Sequence, residues 1–213
     1  MMTALEALDH LLLGTNDLLR GIAWFEERTG VRAATGGSHP GRGTRNALAA
    51  LGGRHYLEII APDPEQPIEN LTLNLRGLTE PRLITWAALT ADIGALAKRL
   101  RDRGHAGADP REGSRARPDG RMLRWQTLGV GTDLADAEAN PIPFFIQWAS
   151  TSRHPSQDAP SGCELAAFEF EHPNPKRLES TLSELNIDAV VRQGAAVKLI
   201  ATLKTPKGRL VLQ

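Results

Sequence analysis

Leu8-Asp9-His10-Leu11-Leu12-Leu13, then Gly21-Ile22-Ala23-Trp24-Phe25-Glu26, then Tyr56-Leu57-Glu58-Ile59-Ile60 are the runs on which the fold turns. The first is apolar except for Asp9 and His10 and is short enough for a buried strand. Asn16 or Asp17 can cap a helix after it, with Ile22 and Phe25 on its inner face. Thr29-Gly30 ends that helix, because glycine takes the left-handed conformation that helix ends favour. Residues 31–34 read as a short strand and residues 36–44 as a glycine-rich loop. Residues 46–51 and 55–60 read as two further strands joined at Gly52-Gly53, before the stop Ala61-Pro62-Asp63-Pro64. The order is β-α-β-β-β.

Working outward, the same order returns. Residues 83–89 read as a strand, and Asp92 caps a helix running through Leu96 and Leu100 to Gly104. A weak strand is expected over 106–111, Pro118-Asp119-Gly120 turns into a strand over 122–128, and residues 143–148 close the unit. After a Ser/Pro-rich linker over 150–162, residues 165–170 begin a third pass. Its helix starts at Asn174-Pro175 and ends near Asn186, with strands expected over 188–192, 197–203 and 209–212. The expected fold is therefore α+β: tandem βαβββ modules forming curled mixed sheets. Paired modules at about 5–64 and 82–149, within residues 5–156, would enclose a pocket, and 163–213 would form a third βαβββ-like unit. The plain alternative is an unrelated α+β domain whose elements alternate by chance.

The bulk composition narrows the partners. Lys and Arg number 25, as do Asp and Glu, so the net charge argues against nucleic acid or an anionic membrane surface. No apolar run is long enough for a membrane helix, and no basic start followed by an apolar stretch marks a secretory signal. Cys163 stands alone, which excludes an intrachain disulfide and suits the cytoplasm; it reads as a buried filler rather than a nucleophile. The glycines at 36–43 lack the following lysine and the preceding long strand of a nucleotide-binding loop. No nucleophile elbow or Ser/His/Asp arrangement stands out.

The three opening runs resemble the vicinal oxygen chelate superfamily. Residues 39–46, Pro143-Phe144-Phe145-Ile146-Gln147-Trp148 and His154-Pro155 resemble its bacterial glyoxalase-like domain proteins more narrowly. The resemblance covers about residues 5–170. It implies a pocket in the sheet hollow and, in metal-using members, a ligand from the first and last strand of each module. Those positions hold His10 and Glu58 in the first module, a candidate divalent-metal pair. In the second they hold Trp86, or Thr85 if the register slips by one, and Gln147, which are poor replacements. A neighbour such as His39, His55 or His154 would have to complete a metal site.

Two function classes follow. One is a metal-dependent lyase, isomerase or dioxygenase acting on a small oxygenated molecule. The other, which the second module's substitutions favour, is a small-molecule-binding protein without a complete metal site. The expected pocket residues are His10, His39, Thr44, Asn46, Glu58, Trp86, Arg117, Arg124, Trp125, Gln147 and Trp148. Arg117 and Arg124 come from an arginine-dense stretch and would grip an anionic ligand through their planar forks. Trp86, Trp125 and Trp148 would form an apolar wall, with core packing as their ordinary alternative. An odd third unit leaves one face unpaired, so a homodimer is also considered.

Overall fold

The computed structural model describes every residue except 72, 106–108 and 118. A two-residue strand β1 (Met2–Thr3) and a single-turn helix α1 (Ala4–Ala7) precede the first module. Neither was expected, although Thr3 and Glu6 form a reciprocal capping box that the sequence spells out. The module itself is β2 (Leu8–Gly14), α2 (Leu18–Thr29), β3 (Ala34–His39), β4 (Thr44–Ala50) and β5 (Tyr56–Pro62). The second is β6 (Arg82–Leu89), α3 (Ile93–Asp102), β7 (Arg111–Ala116), β8 (Met122–Leu128) and β9 (Phe144–Trp148). Asp17 and Asp92 cap their helices by accepting from Arg20 N and Ala95 N, and Gly30 closes α2 at φ 79°.

Two strand expectations need correction. The second strand of the first module is Ala34–His39, not 31–34, so residues 36–39 of the expected glycine loop are strand. The reason is close approach: a Cβ on Gly36 would stand 2.2 Å from Asn46 Oδ1. In the second module β7 begins only at Arg111; residues 106–108 of the strand expected there, and Pro118 of the expected turn, lie outside the described residues.

Both modules share one eight-stranded sheet in the order β3-β4-β5-β2-β6-β9-β8-β7. Within each, the first strand lies beside the last, and the two first strands meet antiparallel at the centre. The sheet curls until its outer strands face each other. Arg115 on β7 donates through Nη1 to the carbonyl of Gly36 on β3, and a Cβ on Gly37 would stand 3.1 Å from Ala116 O. Alternation along β2 then divides the molecule: Leu11 and Leu13 pack into the core with Ile22 and Phe25 of α2, whereas His10 and Leu12 face the hollow.

The third unit consists of β10 (Glu164–His172), α4 (Pro175–Glu184), β11 (Ile187–Asp188), β12 (Val191–Gln193), β13 (Lys198–Thr205) and β14 (Gly208–Leu212). It keeps the strand-helix-strands order, but its sheet runs β12-β10-β13-β14, with the first strand inside rather than beside the last. Phe168 and Phe170 pack on Trp86 of β6, with ring centroids 5.2 and 5.9 Å away. One continuous core thus joins all three units. Among the described residues no helix is long and apolar enough to cross a membrane.

Candidate functional site

The curled sheet encloses a cavity of about 520 Å³, within the range typical of small-molecule sites. Strands β2 to β5 line one side with polar groups: His10, His39, Thr44, Asn46 and Glu58. Trp125 of β8 with Phe144, Ile146 and Trp148 of β9 line the other.

The polar side is a connected, buried network. Glu58 Oε1 accepts from Asn46 Nδ2 at 2.6 Å, and Glu58 Oε2 lies 3.3 Å from His10 Nε2. Asn46 Nδ2 also stands 3.1 Å from His39 Nε2, and His39 Nδ1 stands 2.9 Å from Thr44 Oγ1. Behind His10, its Nδ1 meets Asp9 Oδ1 at 2.7 Å. Asp9 Oδ2 in turn accepts from Trp148 Nε1 at 3.1 Å and lies 3.0 Å from His154 Nε2. Two consecutive residues, Asp9 and His10, can touch because the pairing of β2 with β6 shifts register between Leu8 and His10. The His10 ring stacks on Tyr56, centroids 4.5 Å apart and 17° from parallel.

These contacts set the protonation states. Burial alone would lower the His10 pKa, but the hydrogen bonds and charges of Asp9 and Glu58 outweigh it and raise the value to about 9. Burial would likewise raise Glu58, yet the bond from His10, with help from Asn46, holds it near 2. Asp9 is held far below the ordinary carboxylate range: the bonds from His10 and His154 overcome a large burial cost. His39 shifts the other way, because burial lowers it more than Glu58 raises it, which favours the neutral ring. At neutral pH the floor therefore pairs an imidazolium with two carboxylates.

The donors of this arrangement decide how well it would hold a metal ion. Glu58 is already engaged at both oxygens, Oε1 by Asn46 and Oε2 by His10. The cavity-facing residues of β6 and β9 include Thr85, Phe144, Ile146 and Trp148, and contribute neither imidazole nor carboxylate. Among the described residues no group of three or more His, Cys, Asp or Glu side chains is placed to hold a metal ion. The donor set does not fit a resident divalent cation.

Four expected pocket residues lie elsewhere. Trp86 is fully buried on the core side of β6, its Nε1 donating to Pro141 O at 2.8 Å; Thr85 takes the cavity position. Gln147 points away from the hollow, and its Oε1 accepts from Ile93 N in the first turn of α3 at 2.7 Å. Arg117 pairs with Asp158 at 2.6 Å, and Arg124 is exposed on the outer face of β8. The arginine that does border the cavity is Arg115, with Arg42 and Arg111 nearer the rim. Asp9, Tyr56 and Arg115 were not singled out from the sequence. Asp9 could have been noticed as a carboxylate inside an apolar run, where a buried charge requires partners.

The chain matches the family model described as a glyoxalase-like domain over residues 8–186. No curated protein matches it. Among solved structures, a hypothetical protein from Staphylococcus aureus is similar at 18% identity and a TM-score of 0.69, over 90% of this chain and 87% of that one. Methylmalonyl-CoA epimerase from Mycobacterium tuberculosis is similar at 21% identity and a TM-score of 0.44, over 70% of this chain and 90% of that one. The likeness to the staphylococcal protein is one of fold.

Proposed function

Because the chain belongs to the glyoxalase-like domain family, within the vicinal oxygen chelate superfamily, we propose that it binds a small amphiphilic molecule in the hollow of its sheet, directly through side chains. The observation that carries this reading is the division of the cavity lining. A polar end built on His10, Asn46 and Glu58 opposes an aromatic wall of Trp125, Phe144 and Trp148. Such a lining suits a ligand with a polar head and an apolar body, since buried apolar area drives entry while a few fixed polar groups set orientation. The alternative, a metal-assisted lyase, isomerase or dioxygenase, has less support, because the second module offers hydrocarbon and indole where ligands would be needed.

Trp125 and Trp148 border the hollow and so report on it. A panel of neutral and acidic aromatic and branched aliphatic compounds is expected to give saturable changes in tryptophan fluorescence. Leu48→Trp, which fills the cavity from β4, is expected to abolish them, and chelator treatment to leave them unchanged. Absence of saturable binding across the panel, or retention of binding in Leu48→Trp, would refute the reading. Affinity that collapses with chelator and returns with a divalent ion would favour the alternative.

A further inference from the structure

Arg115 is 4% exposed, on the inner face of β7, with its guanidinium bordering the cavity. Among the described residues its one side-chain hydrogen bond goes to the carbonyl of Gly36, which occupies a single donor of the five that a guanidinium offers. A peptide carbonyl is neutral and cannot offset the charge. Among the described residues no carboxylate lies within ion-pair reach of Arg115, although Glu58 is close enough to act on it through space. Neighbouring arginines are handled differently. Arg117 pairs with Asp158 at 2.6 Å and Arg101 with Asp109 at 3.1 Å. Buried charges in folded proteins are normally paired, so a buried arginine facing a cavity without a carboxylate partner is half of an interaction.

The local backbone supports that orientation. Arg111, Gly113 and Arg115 share the inner face of β7, and a Cβ on Gly113 would stand 2.3 Å from Trp125 Nε1. Glycine there lets the Trp125 ring lie along the strand, so an aromatic surface and a cation meet at the same part of the wall.

Resting on the binding reading above, we propose that the ligand is a small monocarboxylic acid with an aromatic or branched aliphatic body, and that Arg115 receives its carboxylate. The planar fork of a guanidinium matches a carboxylate, and the bond is strongest where water is excluded. A single negative charge is favoured over two, because Glu58 and Asp9 already place carboxylates at the same floor, while Arg42 and Arg111 are exposed. Apolar contact with Trp125, Phe144 and Trp148 then selects the body of the acid.

The test compares matched pairs on the full chain by tryptophan fluorescence or calorimetry: phenylacetate against phenylacetamide, and 4-methylpentanoate against its amide, with phenyl phosphate as a dianion. Charge-assisted hydrogen bonds lead us to expect the acids to bind about tenfold or more tighter than the amides. Phenyl phosphate is expected to be weaker than phenylacetate. The margin is expected to vanish in Arg115→Met and to survive in part in Arg115→Lys. Equal binding of acids and amides overturns the inference and leaves the binding reading standing; failure of every compound overturns both. A full margin in folded Arg115→Met overturns the assignment to this side chain, and tighter binding of phenyl phosphate overturns the single charge. Should Arg115→Met lose its cooperative melt because the link to Gly36 is gone, the wild-type pairs and Arg115→Lys decide the matter.

Discussion

The two paired modules have the same strand order and lie first strand to first strand, yet the imidazoles and the Glu58 carboxylate of the cavity come from the first and its indoles, with the Arg115 guanidinium, from the second. The first contributes His10, His39, Thr44, Asn46 and Glu58, and the second Thr85, Trp125, Phe144, Ile146 and Trp148. Backbone pairing is indifferent to what lies on the inner face, so one scaffold can carry a charged floor and an aromatic wall without change of topology. What couples them is Asp9. It binds His10 in its own module, Trp148 in the other, and His154 in the segment beyond.

That coupling is where the comparison breaks most severely. Asp9→Ala would strand the protonated His10 ring and the donors of Trp148 and His154 in a buried setting. Removing one partner of a buried ion pair costs about 3–5 kcal/mol, and denaturant unfolding of Asp9→Ala should show a loss of this size. Trp125→Ala, on the wall and outside that network, should cost clearly less. A loss below about 1 kcal/mol in Asp9→Ala would show that the network around Asp9 carries little of the stability.

The asymmetry also explains what could be read in advance. Continuous apolar runs and turn residues define β2, β5, β6 and the helices between them, so the βαβββ repeat and the meeting of His10 with Glu58 were legible. Along β6 the run Leu83-Ile84-Thr85-Trp86-Ala87-Ala88-Leu89 is apolar on both faces, so alternation does not say which side is inner. A slip of one residue exchanges Trp86 for Thr85. The same slip misassigns Gln147 beside Ile146 and Trp148 on β9. On β7 and β8 the choice among closely spaced arginines depends on Gly113 yielding to Trp125, a contact between strands that no single run encodes. Asp9 was hidden by the bulge that turns it beside His10, and the inserted position of β10 in its sheet is a matter of long-range pairing.

Titration sharpens the contrast, since the strongly shifted groups of the floor come from the first module. His10 rises from an ordinary 6.5 to about 9 on folding, so its contribution is complete below pH 6.5 and lost as pH climbs through 9. Glu58 falls from 4.5 to about 2, so its contribution is present above pH 4.5 and lost as pH drops through 2. Through His10 stability should therefore decline above pH 6.5, by an amount on the order of 3 kcal/mol by pH 9. His39 and His55, whose pKa values burial lowers, subtract stability as pH falls below 6.5. Chemical denaturation across this range measures the decline, and His10→Gln should remove the alkaline limb. A limb that persists in His10→Gln would assign the titration to another group.

The smallest effect separates the two faces of the second module. Arg124 lies on β8 next to Trp125, but it is exposed, and its backbone N–H donates to Ser152 Oγ, a bond that survives truncation of the side chain. Arg115 is across the hairpin, one residue from directly opposite Arg124, and therefore points to the other face. Arg124→Ala should change stability by no more than about 0.5 kcal/mol, as surface substitutions do, and leave ligand affinity unaltered. Paired with Arg115→Lys in the same titration, it sets an outward cation against an inward one on adjoining strands. Should Arg124→Ala weaken acid binding as much as Arg115→Lys, the field of the whole hairpin would be responsible rather than a cation placed inside the hollow.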